Sequence, residues 1–159
     1  MNFIPYKDEH ARELVEWFDD ENAALLWGGR VLGWPLSVSR INEYVSSIDA
    51  ECFCLQDHSG QLQGFIELRR PQLNEMRFCR VAINPHVRGR GLGKQLLRYA
   101  ITYTKQFKDI QYISLAVFIH NEPAKRCYQA LGFEVVEKDP TFRSFHDEKW
   151  PLHQMELVL

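Results

Sequence analysis

Residues 81–94 carry the densest group of side chains able to do chemistry. Val81-Ala82-Ile83 is an apolar run, Asn84-Pro85 a turn, and Arg88-Gly89-Arg90-Gly91-Leu92-Gly93-Lys94 follows directly. Glycines let a backbone approach a ligand closely and adopt positive φ. A helix predicted to begin near Leu92 adds unpaired N–H groups and the positive end of its dipole. That combination is an anion site suited to a pyrophosphate. Arg88, Arg90 and Lys94 bring positive charge to the same place. Three glycines alternating with two arginines exceed what a tight turn needs. Two common nucleotide loops fail on named residues. A P-loop requires G-x-x-x-x-G-K-[ST], but Arg88 stands at its first glycine and Gln95 replaces the hydroxyl. A dinucleotide loop requires G-x-G-x-x-G, but Lys94 takes the third glycine's place.

Further along, Asn121 and Pro123 suit a helix start, and Gly132 suits its end. Tyr128 lies on the apolar side of that helix with Ala124 and Leu131, which is compatible with core packing or with a role in a site. His120 ends the preceding apolar run, and His86 reads as loop surface. The four cysteines, Cys52, Cys54, Cys79 and Cys127, form no C-x-x-C pair. They read as reduced, buried thiols, Cys52 and Cys54 sharing one face of a strand. No metal is expected, because no His/Cys group has ligand spacing.

The elements that must hold these residues alternate between the two periodicities. Strands are expected over 3–6, 51–55, 62–68, 76–83, 112–119, 133–136 and 155–159. Helices are expected over 11–18 behind an Asp8 cap, 41–48 behind Ser37 or Ser39, 92–104 and 123–131. Residues 25–35 hold three glycines, a proline and two tryptophans, and read as a loop of the kind found at ligand clefts. The order implies an α/β (α+β) fold in one layered domain.

Length and composition narrow the classes. A chain of 159 residues with 45% hydrophobic content fills about one core. Its net charge of -2, from 19 basic and 21 acidic residues, disfavours nucleic acid as a partner. No run reaches the roughly 20 apolar residues of a membrane span, so no membrane partner is expected. The first residues lack a secretory pattern, and a cytoplasmic location is the expectation.

Arg88-Gly89-Arg90-Gly91-Leu92-Gly93 fits R/Q-x-x-G-x-G/A, and residues 121–133 fit N-x-x-A-x-x-x-Y-x-x-x-G-F. With Ile83-Asn84-Pro85 similar to a V-x-P strand end, the chain resembles the GNAT superfamily of N-acetyltransferases. The resemblance implies one N-acetyltransferase domain over 1–159. It would be a mixed, mostly antiparallel sheet of six to seven strands with about four helices, splayed between the fourth and fifth strands. It implies acetyl-CoA as co-substrate. The pyrophosphate would rest on the amides of Arg88, Gly89, Arg90, Gly91, Leu92, Gly93 and Lys94, and the pantetheine beside Val81, Ala82 and Ile83. Asn121 matches a position that touches the cofactor. Tyr128 matches a tyrosine that often protonates the leaving thiolate. Members are often dimers, which leaves room for a homodimer.

The acceptor side is less defined. The resemblance implies a primary amine of a small molecule or a protein N-terminus, acetylated by direct transfer in a ternary complex. Where some members carry a glutamate base, Arg77 stands here. Glu75 shares the strand parity of Arg77, and Glu67 lies on the preceding strand, so both are candidate bases. A water relay, or delivery of a neutral amine, serves equally. Trp27 and Trp34 are candidate walls for the acceptor, His120 a candidate contact, and residues 142–150 precede the last strand and are placed to face the same cleft. A non-catalytic acyl-CoA-binding or sensory module is the alternative.

Overall fold

In the computed structural model, which describes residues 1–136 and 141–159, eight strands form one open sheet in the order β1-β2-β3-β4-β5-β8-β6, with β7 also paired to β8. The strands are β1 (Asn2–Pro5), β2 (Ala50–Gln56), β3 (Leu62–Gln72), β4 (Glu75–Ile83), β5 (Tyr112–Phe118), β6 (Glu134–Val135), β7 (Thr141–Phe145) and β8 (Glu148–Val158). Five helices flank them: α1 (Ala11–Val15), α2 (Glu21–Leu32), α3 (Val38–Ser47), α4 (Leu92–Thr104) and α5 (Glu122–Gln129). All pairings are antiparallel except β4 with β5.

Alternation along the strands buries both faces of the sheet. On one face, Phe53, Leu55, Ile66, Leu68, Met76 and Phe78 pack against Leu96, Leu97 and Ala100 of α4 and Tyr128 of α5. On the other, Cys52, Cys54, Leu62 and Phe65 pack against α1, α2 and α3. The spacing of Leu96, Leu97, Ala100 and Thr104 turns one face of α4 inward, and each fully buried leucine contributes about 1.5–3 kcal/mol. All four cysteines are free; Cys52 and Cys54 are buried, whereas Cys79 and Cys127 are only partly buried.

Several details differ from expectation. Among the described residues the sheet has eight strands rather than six or seven, and there are five helices rather than about four. Residues 27–35 are not a plain loop: α2 runs through Trp27 and Gly28, breaks at Gly29 (φ 66°), and resumes to Leu32. The helix persists there because Ala24, Leu25, Trp27 and Leu32 are all buried, and their packing outweighs the poor helix propensity of the glycines. Residues 142–150 are a hairpin, β7 and β8, clamped over α2 by Arg30 Nη2 donating to Ser144 O at 2.9 Å. Asp8 opens a single 3-10 turn, Asp8–His10, instead of capping a longer helix. Ser37, not Ser39, caps α3, accepting from the Arg40 N–H at 3.2 Å.

The feature that shapes the site is the partial pairing of β4 with β5. Only Glu75, Arg77 and the residue between them pair, with Tyr112, Ile113 and Ser114. Beyond Arg77 the strands part, while β5 stays paired to β8 along its other edge. A bulge assists the parting. Three residues of β3, 65–67, span four of β4, 79–82, and Arg80 takes φ 48°. Strict alternation would put Arg80 beside Met76 and Phe78. The bulge re-aims it to the opposite face, where its guanidinium lies 4.6 Å from the Tyr44 ring of α3.

Candidate active site

The splay opens a cavity of about 660 Å³, lined on one side by Val81, Ala82 and Ile83 of β4 and on the other by Phe118, His120 and Asn121. Its rim is the glycine-rich loop and the start of α4. Gly89 (φ 78°) and Gly91 (φ 76°) hold left-handed backbone, and a Cβ on either would meet nothing within 4 Å. The loop is therefore bent to leave open space where side chains would stand. Gly91 is the N-cap of α4 and supplies no side-chain cap. In α2, α3 and α5 that duty falls to Asp20, Ser37 and Asn121. The first bond into α4 runs from the Gln95 N–H to Gly91 O at 3.1 Å, so the amides of Leu92, Gly93 and Lys94 precede it. These donors, with the exposed Arg88 and Arg90, fit a diphosphate.

A second cleft of about 140 Å³ continues along the gap and shares Leu26, Trp27, Val81, Phe118, Asn121 and Tyr128 with the first. Tyr128 is buried, packs edge-on to Phe133 at 6.0 Å, and lines both cavities. Its hydroxyl has no hydrogen-bond partner among the described residues, and burial pushes the phenol above its usual 10.0. It is a proton-bearing donor at the junction of the two clefts.

The remaining predicted residues distribute unevenly. Asn121 caps α5, accepting from the Ala124 N–H at 3.3 Å, and also lines the gap. His120 lines the larger cavity and stacks on Phe118 at 5.7 Å. Trp27 is 7% exposed and donates its indole N–H to Arg80 O at 2.8 Å, tying α2 to the bulge. Trp34, 39% exposed, lines none of the cavities described here.

Neither glutamate borders the gap. Glu75 sits where β4 and β5 are still paired, accepting from Ser114 Oγ and, at 3.0 Å, from Tyr112 Oη. Glu67 is fully buried. It accepts from Arg69 Nε, from Arg80 Nη1 at 3.1 Å and from Tyr44 Oη at 2.8 Å. Burial, which its contact with Glu67 reinforces, pushes Tyr44 up to about 12, keeping it a donor. Glu67 is thus the counter-ion that fixes Arg80 and the bulge. Glu67→Gln is expected to cost about 3 kcal/mol of folding stability in urea titrations, because it leaves Arg80 without its buried partner. A stability equal to wild type would remove that role.

Sequence reasoning missed Arg80 and Arg143. No local pattern announces a bulge, and Arg143 lies within residues 142–150, a stretch expected to face the cleft with no one side chain singled out. It lines the smaller cleft from β7.

Comparison with known proteins agrees with this geometry. Residues 3–133 match the "Acetyltransferase (GNAT) family". The chain is 29% identical over 136 residues to mycothiol acetyltransferase of Saccharomonospora viridis, covering 76% of this chain and 44% of that protein. It is 36% identical over 136 residues to "Probable spermine N(1)-acetyltransferase" of Bacillus subtilis subsp. natto, covering 73% of this chain and 83% of that one. Of two curated relatives it spans less than half, 44% and 40%. Among solved structures, spermidine N-acetyltransferase from Vibrio cholerae in complex with CoA and spermine superimposes with a TM-score of 0.79. That match has 19% identity over 99% of this chain and 94% of the other, and speaks for the fold. On the family match, the splayed sheet and the glycine-rich loop, the chain belongs to the Acetyltransferase (GNAT) family.

Proposed function

We propose that residues 1–159 act as an acetyl-CoA-dependent N-acetyltransferase, moving an acetyl group to a primary amine within a ternary complex. The observation that carries this reading is the continuity of the two clefts. One bears the amide cradle of the 88–94 loop, the other opens toward β7, and Tyr128 lines both. Bound acetyl-CoA supplies an activated thioester. The loop amides and Arg88, Arg90 and Lys94 bind its diphosphate. Val81, Ala82 and Ile83 line the channel beside it, on a strand edge left unpaired by β5. Tyr128 Oη donates a hydrogen bond to the sulfur as charge develops there.

The acceptor amine must reach the reaction without its extra proton. Among the described residues, no carboxylate lines either cleft. The apolar walls from Leu26, Trp27 and Phe118 disfavour an ammonium, and so does the positive charge of Arg77 and Arg143. These groups lower the amine's pKa directly, and water completes the proton's removal. Glu67 and Glu75 serve the scaffold in this reading.

A thiol-release assay across a panel of amines tests it. Acceptor-dependent release of CoA is the expected result. Tight acetyl-CoA binding with no release from any amine would favour the alternative, a non-catalytic acyl-CoA-binding or sensory module. The relatives named for mycothiol and spermine support an amine acceptor in general.

A further inference from the structure

The smaller cleft does not end at β7. A third cavity, of about 440 Å³, shares Arg77, Cys79, Arg80 and Arg143 with it. Among the described residues its charged lining is five arginines and one acid: Arg69, Arg70, Arg77, Arg80 and Arg143 against Asp49. The bulge helps to build this wall. Cys79 and Arg80 are consecutive, yet both line it beside Arg77, which alternation alone would not permit.

The pairing of the five guanidiniums is unequal. Arg70 meets Asp109, and Arg69 and Arg80 share Glu67. Arg77 donates only to neutral atoms, Ser114 Oγ and Gln154 Oε1, each at 3.2 Å. Arg143 has no hydrogen bond or ion pair with any described residue. Arg80 Nε is buried and donates to no described residue. Arg143 is exposed on β7, yet partial desolvation and the neighbouring charges of Arg80 and Arg77 push it below its usual value, as expected of a guanidinium held in a positive field. Two arginines without an acidic partner among the described residues, at the far end of the cleft that Tyr128 lines, form a fork suited to an oxyanion.

We propose that the acceptor is a small amine that also carries an oxyanion, a carboxylate or a phosphonate, and that Arg77 and Arg143 hold that group while the amine points back toward Tyr128. The proposal rests on the acetyltransferase reading and narrows it. It selects against a protein N-terminus, which carries no adjacent anion. It also selects against a polyamine, whose second ammonium would face the arginines. The bound oxyanion offsets part of the charge of Arg77 and Arg143, so the apolar walls from Leu26, Trp27 and Phe118 carry most of the bias against the ammonium form of the nucleophile.

The test is calorimetric binding to the CoA-loaded protein, with turnover read separately. The probes are a panel of L-amino acids, each beside the amine left when its carboxylate is removed, with 2-aminoethylphosphonate and spermine. At least one oxyanion-bearing amine is expected to bind about tenfold or more tightly than its stripped partner, the scale of one charge-assisted contact. The amino acids and the phosphonate distinguish the two anion types. Arg143→Ala is expected to erase that preference and Arg143→Lys to restore part of it, with acetyl-CoA affinity unchanged in both. Spermine or a stripped amine binding as tightly as every oxyanion-bearing probe would overturn the proposal, as would an undiminished preference in Arg143→Ala. Preferential binding of the anion with no CoA release would leave this site standing and remove the transferase reading. Release driven by stripped amines alone would do the reverse.

Discussion

Gly91→Glu is expected to abolish measurable acetyl-CoA binding in a chain that still folds. The backbone at Gly91 has φ 76° and ψ 7°, the left-handed region, and it begins α4. A side chain there is strained by about 1–2 kcal/mol, which a domain of this size withstands. It meets no steric block, because a Cβ would find nothing within 4 Å. The new side chain instead enters the cavity that Gly91 lines. Its carboxylate would stand roughly 5 Å from a diphosphate gripped by the first-turn amides, a repulsion of about 3 kcal/mol at an effective dielectric constant near 20. Steric exclusion adds to this, so the dissociation constant should rise by more than about 100-fold. Gly91→Ala separates the causes. It carries the strain in both free and bound states, so it should lower the melting temperature while moving affinity little. Isothermal titration with acetyl-CoA reads both variants. A folded Gly91→Glu with wild-type affinity would place the diphosphate elsewhere and dismantle the site.

What could be read from the sequence follows from how locally each feature is encoded. The loop over 88–94 and the helix after it are legible because glycine spacing, charge and 3.6-residue periodicity all act within a few residues. Asn121, Pro123 and Gly132 mark the ends of α5 for the same reason, and each behaves as its chemistry demands, Gly132 taking φ 97°. Non-local effects were not legible. Gly28 and Gly29 look like a loop, yet neighbouring apolar side chains hold Gly28 in a helix so tight that a Cβ would lie 2.8 Å from Leu32. The hairpin of β7 and β8 turns at His146 and Asp147, both at positive φ, without the glycine that usually announces such a turn. Its packing depends on Phe145 and Trp150 meeting Phe118, far away in sequence. The arginine wall needs the bulge, and the bulge needs the buried Glu67, the Tyr44 of another element and the Trp27 indole to hold it. No window of adjacent residues contains that information.

Tyr128→Phe should separate turnover from binding. The ring fills core space against Phe133, and phenylalanine keeps that volume, so folding should change little. What disappears is one hydroxyl, which no described residue satisfies and which belongs to a side chain lining both clefts. Because burial raises the phenol's pKa, full proton transfer to a thiolate near 8.5 is uphill, and the hydroxyl acts chiefly as a hydrogen-bond donor to the developing charge. A charge-assisted bond of about 1.5–3 kcal/mol corresponds to a fall in kcat of about 10–150-fold. The affinity for acetyl-CoA should stay within about twofold, since the bond strengthens only as the sulfur gains charge. The sign of the pKa shift adds an independent check. A phenol raised above 10.0 keeps its proton across neutral and mildly alkaline pH, so wild-type kcat should show no falling limb from Tyr128 below about pH 10. The rising limb, set by the amine, should survive unchanged in Tyr128→Phe. If kcat and affinity both match wild type, Tyr128 is packing alone, and the donor to the sulfur must be sought among the backbone amides that the splay of β4 from β5 leaves unpaired.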